Sequence, residues 1–429
     1  MASCPVWRVC AHPIAIAGSM LRVPLAQLAI GELCLLYADA SSNAVIGEAV
    51  VVAIDQGVAS LGLLQHSTGL SVQCLVVPCG RSPSVMASAA LLGSVLDGNG
   101  QCVQRLVPPK AGPGIWRALA GQAGDYRQRR PITLPLVTGV RAIDGLLTCG
   151  HGQRVGIFAG AGAGKTTLLE MLLANAQADV LIVALIGERG REVAELVQRI
   201  EQSPRASQCI IIQATSDAAP AVRCNAALLA MTLAEHFRDE GLQVALMLDS
   251  ITRYARAMRE LALGAGELPS RGGYPASVFE ALPRLLERSG RSEHGSITLF
   301  CTVLLEHEQD VDPIGDEVKS LIDGHFYLSS TLAGRGHFPA LDVLRSASRL
   351  FNQLTSSSQQ LAAARVRGLL GTLDDLRLMR ELGEYKPGLS PHYDQAVNAE
   401  LRLMEFLRQG TEDISEIEQT LGDLYAIEG

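Results

Sequence analysis

The chain has 429 residues, 48% of them apolar, which predicts roughly two to four domains with large cores. Its net charge of −8 argues against a generally basic surface for nucleic acid, no apolar run approaches the ~18 residues of a membrane span, and the N-terminus lacks the pattern of a secretory signal. Ten scattered cysteines without a Cys-x-x-Cys pair indicate free thiols in a reducing, cytoplasmic compartment rather than a disulfide framework or a structural metal site.

Three successive patterns divide the chain. In residues 1–76, short apolar or alternating runs are separated by Gly, Asn, Asp and Ser at intervals of about ten residues, which predicts a small β-barrel or sandwich. In residues 77–350, strand-like and helical runs alternate, which predicts an α/β nucleotide-binding domain with a mainly parallel sheet. Residues 351–429 predict a helical domain.

Within the last two regions we expect strands at 180–186, 209–212, 244–248 and 297–303. We expect helices at 225–240, 359–382, 394–409 and 413–427.

A glycine-rich run at 159–166, Ala-Gly-Ala-Gly-Ala-Gly-Lys-Thr, is the most informative segment. It follows the apolar run 154–158 and precedes strong helix formers, so strand, loop and helix are expected in that order. Such a loop directs backbone N–H groups at a phosphate, while Lys165 reaches the β- and γ-phosphates and the Thr166 hydroxyl binds Mg²⁺. The residues expected to bind nucleotide here are Gly160, Ala161, Gly162, Ala163, Gly164, Lys165, Thr166 and Thr167.

Two carboxylates follow predicted strands. Asp249 ends the apolar run 244–248, where it is expected to help hold Mg²⁺, with capping of the next helix as the simpler alternative. Glu188 follows the apolar run 180–186 and is expected to polarise an attacking water, with a solvated charge cluster as the alternative.

Longer segments carry a specific resemblance. The phosphate loop, Gly-Glu-Arg-Gly-Arg-Glu (187–192) and Leu-Asp-Ser-Ile-Thr-Arg-Tyr-Ala-Arg-Ala (248–257) occur in the order found in catalytic subunits of rotary ATP synthases. With the segments 138–150, 273–288 and 336–349, the chain resembles the type III secretion system ATPases, close kin of the flagellar export ATPases. The resemblance covers almost the entire chain and implies a RecA-like P-loop core, an N-terminal β-barrel and a C-terminal helical domain.

The resemblance also assigns roles to single residues. It implies that Lys165 and Glu188 are catalytic, with Arg189 beside them, and that Arg253 senses the γ-phosphate. Phe338 falls where relatives place an aromatic ring against adenine, although core packing is the simpler interpretation. Arg349 matches an arginine finger inserted by the neighbouring subunit, a group that can contribute roughly 10³–10⁵ in rate.

The family implies a homo-hexameric, Mg²⁺-dependent ATPase at the cytoplasmic face of the inner membrane. The expected partners are central-stalk and stator proteins, chaperone–effector complexes that bind the C-terminal domain, and the export gate; no nucleic acid is expected. The family also implies that this ATPase releases chaperones from effectors and unfolds cargo.

Two departures and three alternatives accompany this prediction. Ala159 replaces the first glycine of the loop, and the charged N-terminal helix of many relatives is expected to be short or absent. A flagellar export ATPase is the close alternative, which Leu-Leu-Thr-Cys-Gly (146–150) disfavours. A non-catalytic ring subunit is disfavoured by Glu188, and a hexameric RNA helicase by the few basic residues in 1–76.

Overall fold

The computed structural model describes residues 9–39, 41, 44–122, 124–305, 312–388 and 390–427; the first eight residues of the predicted barrel, and any N-terminal helix there, lie outside them. The chain divides into two compact units. The first comprises Met1–Asp125, Val180–Glu240 and Leu248–Arg288, and the second comprises Tyr126–Asp179, Gly241–Met247 and Ser289–Gly429.

The strands of the described residues, in chain order, are β1 (Ala15–Ala17), β2 (Met20–Val23), β3 (Leu33–Tyr37), β4 (Val45–Asp55), β5 (Val58–Leu63), β6 (Leu75–Pro78), β7 (Ser84–Ala87), β8 (Ser94–Asp97), β9 (Cys102–Arg105), β10 (Ile115–Ala118), β11 (Pro135–Leu136), β12 (Cys149–Gly150), β13 (Arg154–Ala159), β14 (Val180–Ile186), β15 (Cys209–Ala214), β16 (Gln243–Asp249), β17 (Gly290–Arg291), β18 (Ser296–Leu304), β19 (Gly324–Leu328) and β20 (Leu341–Ser348).

The α-helices are α1 (Arg141–Leu146), α2 (Lys165–Asn175), α3 (Gly190–Gln202), α4 (Pro220–Asp239), α5 (Ile251–Gly264), α6 (Ala276–Leu286), α7 (Pro313–Leu321), α8 (Ser330–Gly334), α9 (Phe351–Leu354), α10 (Ser357–Glu381), α11 (Pro391–Leu407) and α12 (Ile417–Ala426). None of those in the described part of the chain is long and apolar enough to cross a membrane.

The first unit contains the predicted all-β region as a six-stranded antiparallel sheet, with strand order β1-β2-β5-β4-β3-β6. Alternate side chains of its strands, such as Leu21, Leu36 and Leu61, are fully buried in one apolar cluster. This period-2 burial is what an alternating sequence dictates, because successive strand residues face opposite sides of a sheet.

The same unit contains the order β14-β15-β8-β9, in which β14, β15 and β8 are parallel and β9 is antiparallel. All seven residues of β14 are buried, so the strand needs no polar alternation. Helix α4 begins five residues before the predicted helix, because Pro220 supplies a fixed φ at its first turn.

The second unit has the strand order β20-β19-β13-β18-β16, and β16 belongs to this unit as far as Met247. Strand β13 pairs in parallel with β18 and β19, and β20 closes this edge in antiparallel orientation. The predicted α/β class with a mainly parallel sheet is therefore confirmed. The C-terminal region is helical as predicted, with α10 packed against α11 and α12.

Candidate functional site

The phosphate loop of the second unit connects β13 directly to α2. Gly162 and Gly164 have φ values of 73° and 82°, a left-handed conformation that side-chain-bearing residues rarely adopt. Ala159 is the last residue of β13, where an extended backbone suits alanine, so alanine is compatible with this position of the loop. Gly160, Ala161 and the buried Ala163 complete the loop.

Helix α2 begins at the loop with the three predicted polar residues. Lys165 and Thr167 are half-buried, and Thr166 is exposed. The Leu168 N–H donates to the Gly164 carbonyl at 3.1 Å, which makes this the first bond of the helix. The N–H groups before Leu168 therefore lie in the first turn, whose donors and positive dipole end favour an anion.

The half-buried ring of Phe338 packs against this loop. A Cβ added to Gly164 would lie 3.1 Å from Cε1 of Phe338, a tight contact, and the positive φ of this residue also favours glycine. The Phe338 carbonyl accepts a hydrogen bond from the Gln409 N–H at 2.8 Å, which fixes the segment carrying the ring to the chain after α11. The structure thus brings together two predicted nucleotide-binding elements that lie far apart in sequence.

Glu188 of the first unit follows β14 and is only 3% exposed. Its Oε2 lies 2.8 Å from Nη1 of Arg253, and the same guanidinium donates to the Gly187 carbonyl. A Cβ at Gly187 would approach Cδ of Arg253 to 3.0 Å, so this glycine makes room for the arginine. The solvated charge cluster considered as an alternative is excluded for Glu188, because its carboxylate is buried and paired.

Asp249 and Arg253 are placed by the start of α5. Asp249 ends β16 and is 4% exposed, while Ser250 caps the helix by accepting a hydrogen bond from the Arg253 N–H at 3.3 Å. Ser250, rather than Asp249, is thus the capping residue, and this leaves Asp249 at the carboxyl end of its strand. Arg189 has a 77% exposed side chain, 3.8 Å from Glu192.

Arg349 lies away from the phosphate loop of its own unit. It follows β20, whose residue Ser348 pairs with Gly324, and Gly324 pairs with Val155 near the beginning of β13. The loop begins after Ala159, about 13 Å further along that strand. The exposed Arg349 therefore lies at one end of these strands, and the phosphate loop lies at the other end.

Sequence reasoning did not foresee the pairing of Glu188 with Arg253. The sequence contains one signal for this pairing: each residue comes shortly after a predicted strand. Because the carboxyl ends of parallel strands share an edge of the sheet, the two side chains could be expected near each other. Sequence reasoning also missed Gln153, a fully buried glutamine directly before β13.

The chain is similar to known proteins over almost its whole length. Residues 139–348 match the family model "ATP synthase alpha/beta family, nucleotide-binding domain", and residues 355–426 match "T3SS EscN ATPase C-terminal domain". The SPI-1 type 3 secretion system ATPase of Salmonella typhi is 46% identical over 97% of this chain and 96% of its own length. The flagellum-specific ATP synthase of Bacillus subtilis is 38% identical over 96% of this chain and 94% of its own length.

Among solved structures, the assembled ATPase EscN of the enteropathogenic E. coli type III secretion system matches with a TM-score of 0.90 and 41% identity. The match covers 98% of this chain and 100% of that one. EscN in complex with its central stalk EscO matches with a TM-score of 0.87 and 40% identity over the same shares. The chain therefore belongs to the type III secretion system ATPases of the ATP synthase alpha/beta family.

Proposed function

We propose that this ATPase hydrolyses ATP with Glu188 as the carboxylate that orients and polarises the attacking water. The observation that carries the proposal is the burial of Glu188 at the end of β14, with its carboxylate held by Arg253. A carboxylate in a fixed position and out of bulk water is suited to that task. Lys165 and the first-turn N–H groups of α2 would hold the phosphates, and Phe338 would stack on adenine.

Mg²⁺ suits the oxygen donors that the chain offers. The described residues contain no group of three or more His, Cys, Asp or Glu side chains able to hold an ion. Mg²⁺ bound with a nucleotide needs only one or two protein oxygens besides phosphates and waters. Thr166 and Asp249 would supply them, and the ion would neutralise charge on the β- and γ-phosphates.

Two variants test this division of labour. Lys165→Ala should lose productive ATP binding, because Lys165 balances charge already present in the ground state. Glu188→Gln should bind ATP nearly normally and lose most hydrolysis, because its carboxylate acts only during reaction. Fluorescent-nucleotide affinity and steady-state phosphate release would be measured for both. Near-normal turnover in Glu188→Gln would contradict the proposed role.

We further propose that Arg349 acts on the nucleotide of a neighbouring subunit in a homo-hexamer. Support comes from its exposed position at the sheet edge opposite its own phosphate loop, and from the assembled state described for EscN. Such a finger stabilises charge that develops in the transition state. Activity per subunit should then rise with protein concentration as rings form, whereas a constant value through the assembly range would contradict it. We also propose that Arg189, the residue next to Glu188, contributes to hydrolysis.

The complex of EscN with its central stalk EscO supports a stalk protein as a further partner of this chain. We also propose stator proteins, chaperone–effector complexes and the export gate as partners, at the cytoplasmic face of the inner membrane. Chaperone release and cargo unfolding would be the work performed. We also propose a domain division at 1–76, 77–350 and 351–429. The six-stranded sheet ends with β6 at Pro78, two residues beyond the first boundary, and helix α9 begins at Phe351, at the second boundary.

A further inference from the structure

Gln153 is a buried polar residue for which the proposed reaction has no use. Its side chain is 0% exposed and lies directly before β13. Its Oε1 accepts a hydrogen bond from the Gly150 N–H at 2.9 Å, and its Nε2 donates to Ser348 Oγ at 3.0 Å and to the Asp323 carbonyl at 3.3 Å. Both ends of the amide are therefore occupied, which fixes its orientation.

The two acceptors of this amide hold the backbone of Arg349. Ser348 directly precedes Arg349, and the Arg349 N–H donates to the same Asp323 carbonyl at 2.9 Å. The Asp323 carboxylate in turn accepts from the N–H and the Nε of Arg154, each at 3.2 Å. Arg154 is the first residue of β13, so the base of Arg349 is tied to the strand that leads to the phosphate loop.

The site is closely packed around the amide. A Cβ added to Gly324 would lie 3.2 Å from Gln153 Nε2 and 3.3 Å from the Ala347 carbonyl. Ser348 Oγ also donates to the Thr148 carbonyl at 2.9 Å, which holds it from a second side. The segment before Arg349 therefore has little freedom while Gln153 is in place.

We propose that Gln153 is a positioning residue for Arg349, holding the finger's backbone at a fixed place relative to β13. The inference rests on the proposed role of Arg349 in the neighbouring subunit's site. An exposed arginine takes its position from its backbone, and a displacement of about 1 Å in a reacting group can cost on the order of 10²-fold in rate. Gln153 would thus affect the nucleotide site of the neighbouring subunit rather than the site of its own subunit.

The test uses Gln153→Leu in the full chain, which keeps side-chain size and removes the three hydrogen bonds. We expect kcat to fall by about 10- to 100-fold with nucleotide affinity within about twofold. The control is Thr372→Val in α10. That hydroxyl belongs to a residue 6% exposed, and it donates to the Gly368 carbonyl and contacts His392 Nε2, away from Asp323, Ser348 and Thr148. Its kcat should remain near that of the unmodified protein.

Mixed rings separate an effect on the finger from an effect on the subunit's own site. Gln153→Leu is mixed in equal amounts with Glu188→Gln, which has an intact finger, or with Arg349→Ala, which has an intact site. We expect activity to recover only with Glu188→Gln, where about a quarter of the interfaces would pair an intact site with a well-placed finger. Analytical ultracentrifugation would verify that rings form.

Recovery with Arg349→Ala instead would place the damage in the subunit's own site and overturn the inference. Recovery with neither partner, or an equal loss of kcat in Thr372→Val, would also overturn it, because the effect would then be general. The mixture of Glu188→Gln with Arg349→Ala tests the finger itself. If that reference mixture recovers while Gln153→Leu fails, only the role of Gln153 is refuted; if the reference fails, the proposed finger is refuted.

Discussion

Phe338 offers the most direct link between structure and nucleotide affinity. Its half-buried ring packs against Gly164, so one part of the ring is covered by the loop. The exposed part of the ring is available to a base. Base–aromatic stacking contributes about 1–3 kcal/mol by alanine substitution. With the ring partly covered by the loop, we expect the lower part of that range for Phe338→Ala, about 1–2 kcal/mol or roughly a 5- to 30-fold weaker Kd for ATP.

The turnover number of Phe338→Ala should change little. The ring would contact adenine equally in the ground and transition states, and loss of such uniform binding raises KM rather than lowering kcat. The assay is competition against a fluorescent nucleotide, with Phe338→Trp as the control that keeps an aromatic face. Inorganic tripolyphosphate, which has no base, should bind Phe338→Ala as well as it binds the unmodified protein. An equal loss of tripolyphosphate affinity would refute the reasoning, because the ring would then support the loop instead of the base.

Two further predictions concern buried carboxylates. Arg253→Met should lower stability by about 1–3 kcal/mol, since it removes a partner of a buried charge, and adding Glu188→Gln should restore much of the loss in thermal unfolding. A double variant no more stable than Arg253→Met would contradict this. Burial, partly offset by hydrogen bonds from Thr138 and Gly139, raises the pKa of Asp144 to about 6. The folded state then holds this proton more tightly than the unfolded state, so the Asp144 contribution to the unfolding free energy falls as pH rises from about 4 to about 6. Asp144→Asn has no carboxyl group that titrates, so its stability lacks that fall. The difference in unfolding free energy between this variant and the unmodified protein, measured by thermal unfolding near both pH values, should therefore change from one pH to the other. An unchanged difference would contradict the raised pKa of Asp144.

The features that the sequence predicted well are local ones. The phosphate loop depends on glycines, a strand and a helix that are contiguous in the chain. The places of Glu188 after β14 and of Asp249 at the end of β16 could be predicted because each residue closely follows an apolar run, while their roles stay predictions. Strand β14 covers the predicted residues 180–186 because a run of seven apolar residues admits few other interpretations.

The features that were missed are contacts between distant segments. Phe338 approaches Gly164, and Gln153 approaches Ser348, only because β19 and β20 extend the sheet beside β13. Such pairs leave no periodic signal, since their meeting depends on strand order and not on local sequence. The same argument applies to the contact of Arg253 with Glu188. The position of Arg253 in its helix fits an ordinary amphipathic pattern, which gives no sign of the buried carboxylate beside it.

The central claim is that each nucleotide site is completed by Arg349 of a neighbouring subunit. The most direct measurement is phosphate release from rings assembled with equal amounts of Glu188→Gln and Arg349→Ala, each nearly inactive alone. We predict recovery to about a quarter of the unmodified activity per subunit, because about that share of interfaces would combine an intact carboxylate with an intact finger. If mixed rings form and activity stays at the level of the separate variants, the claim is contradicted.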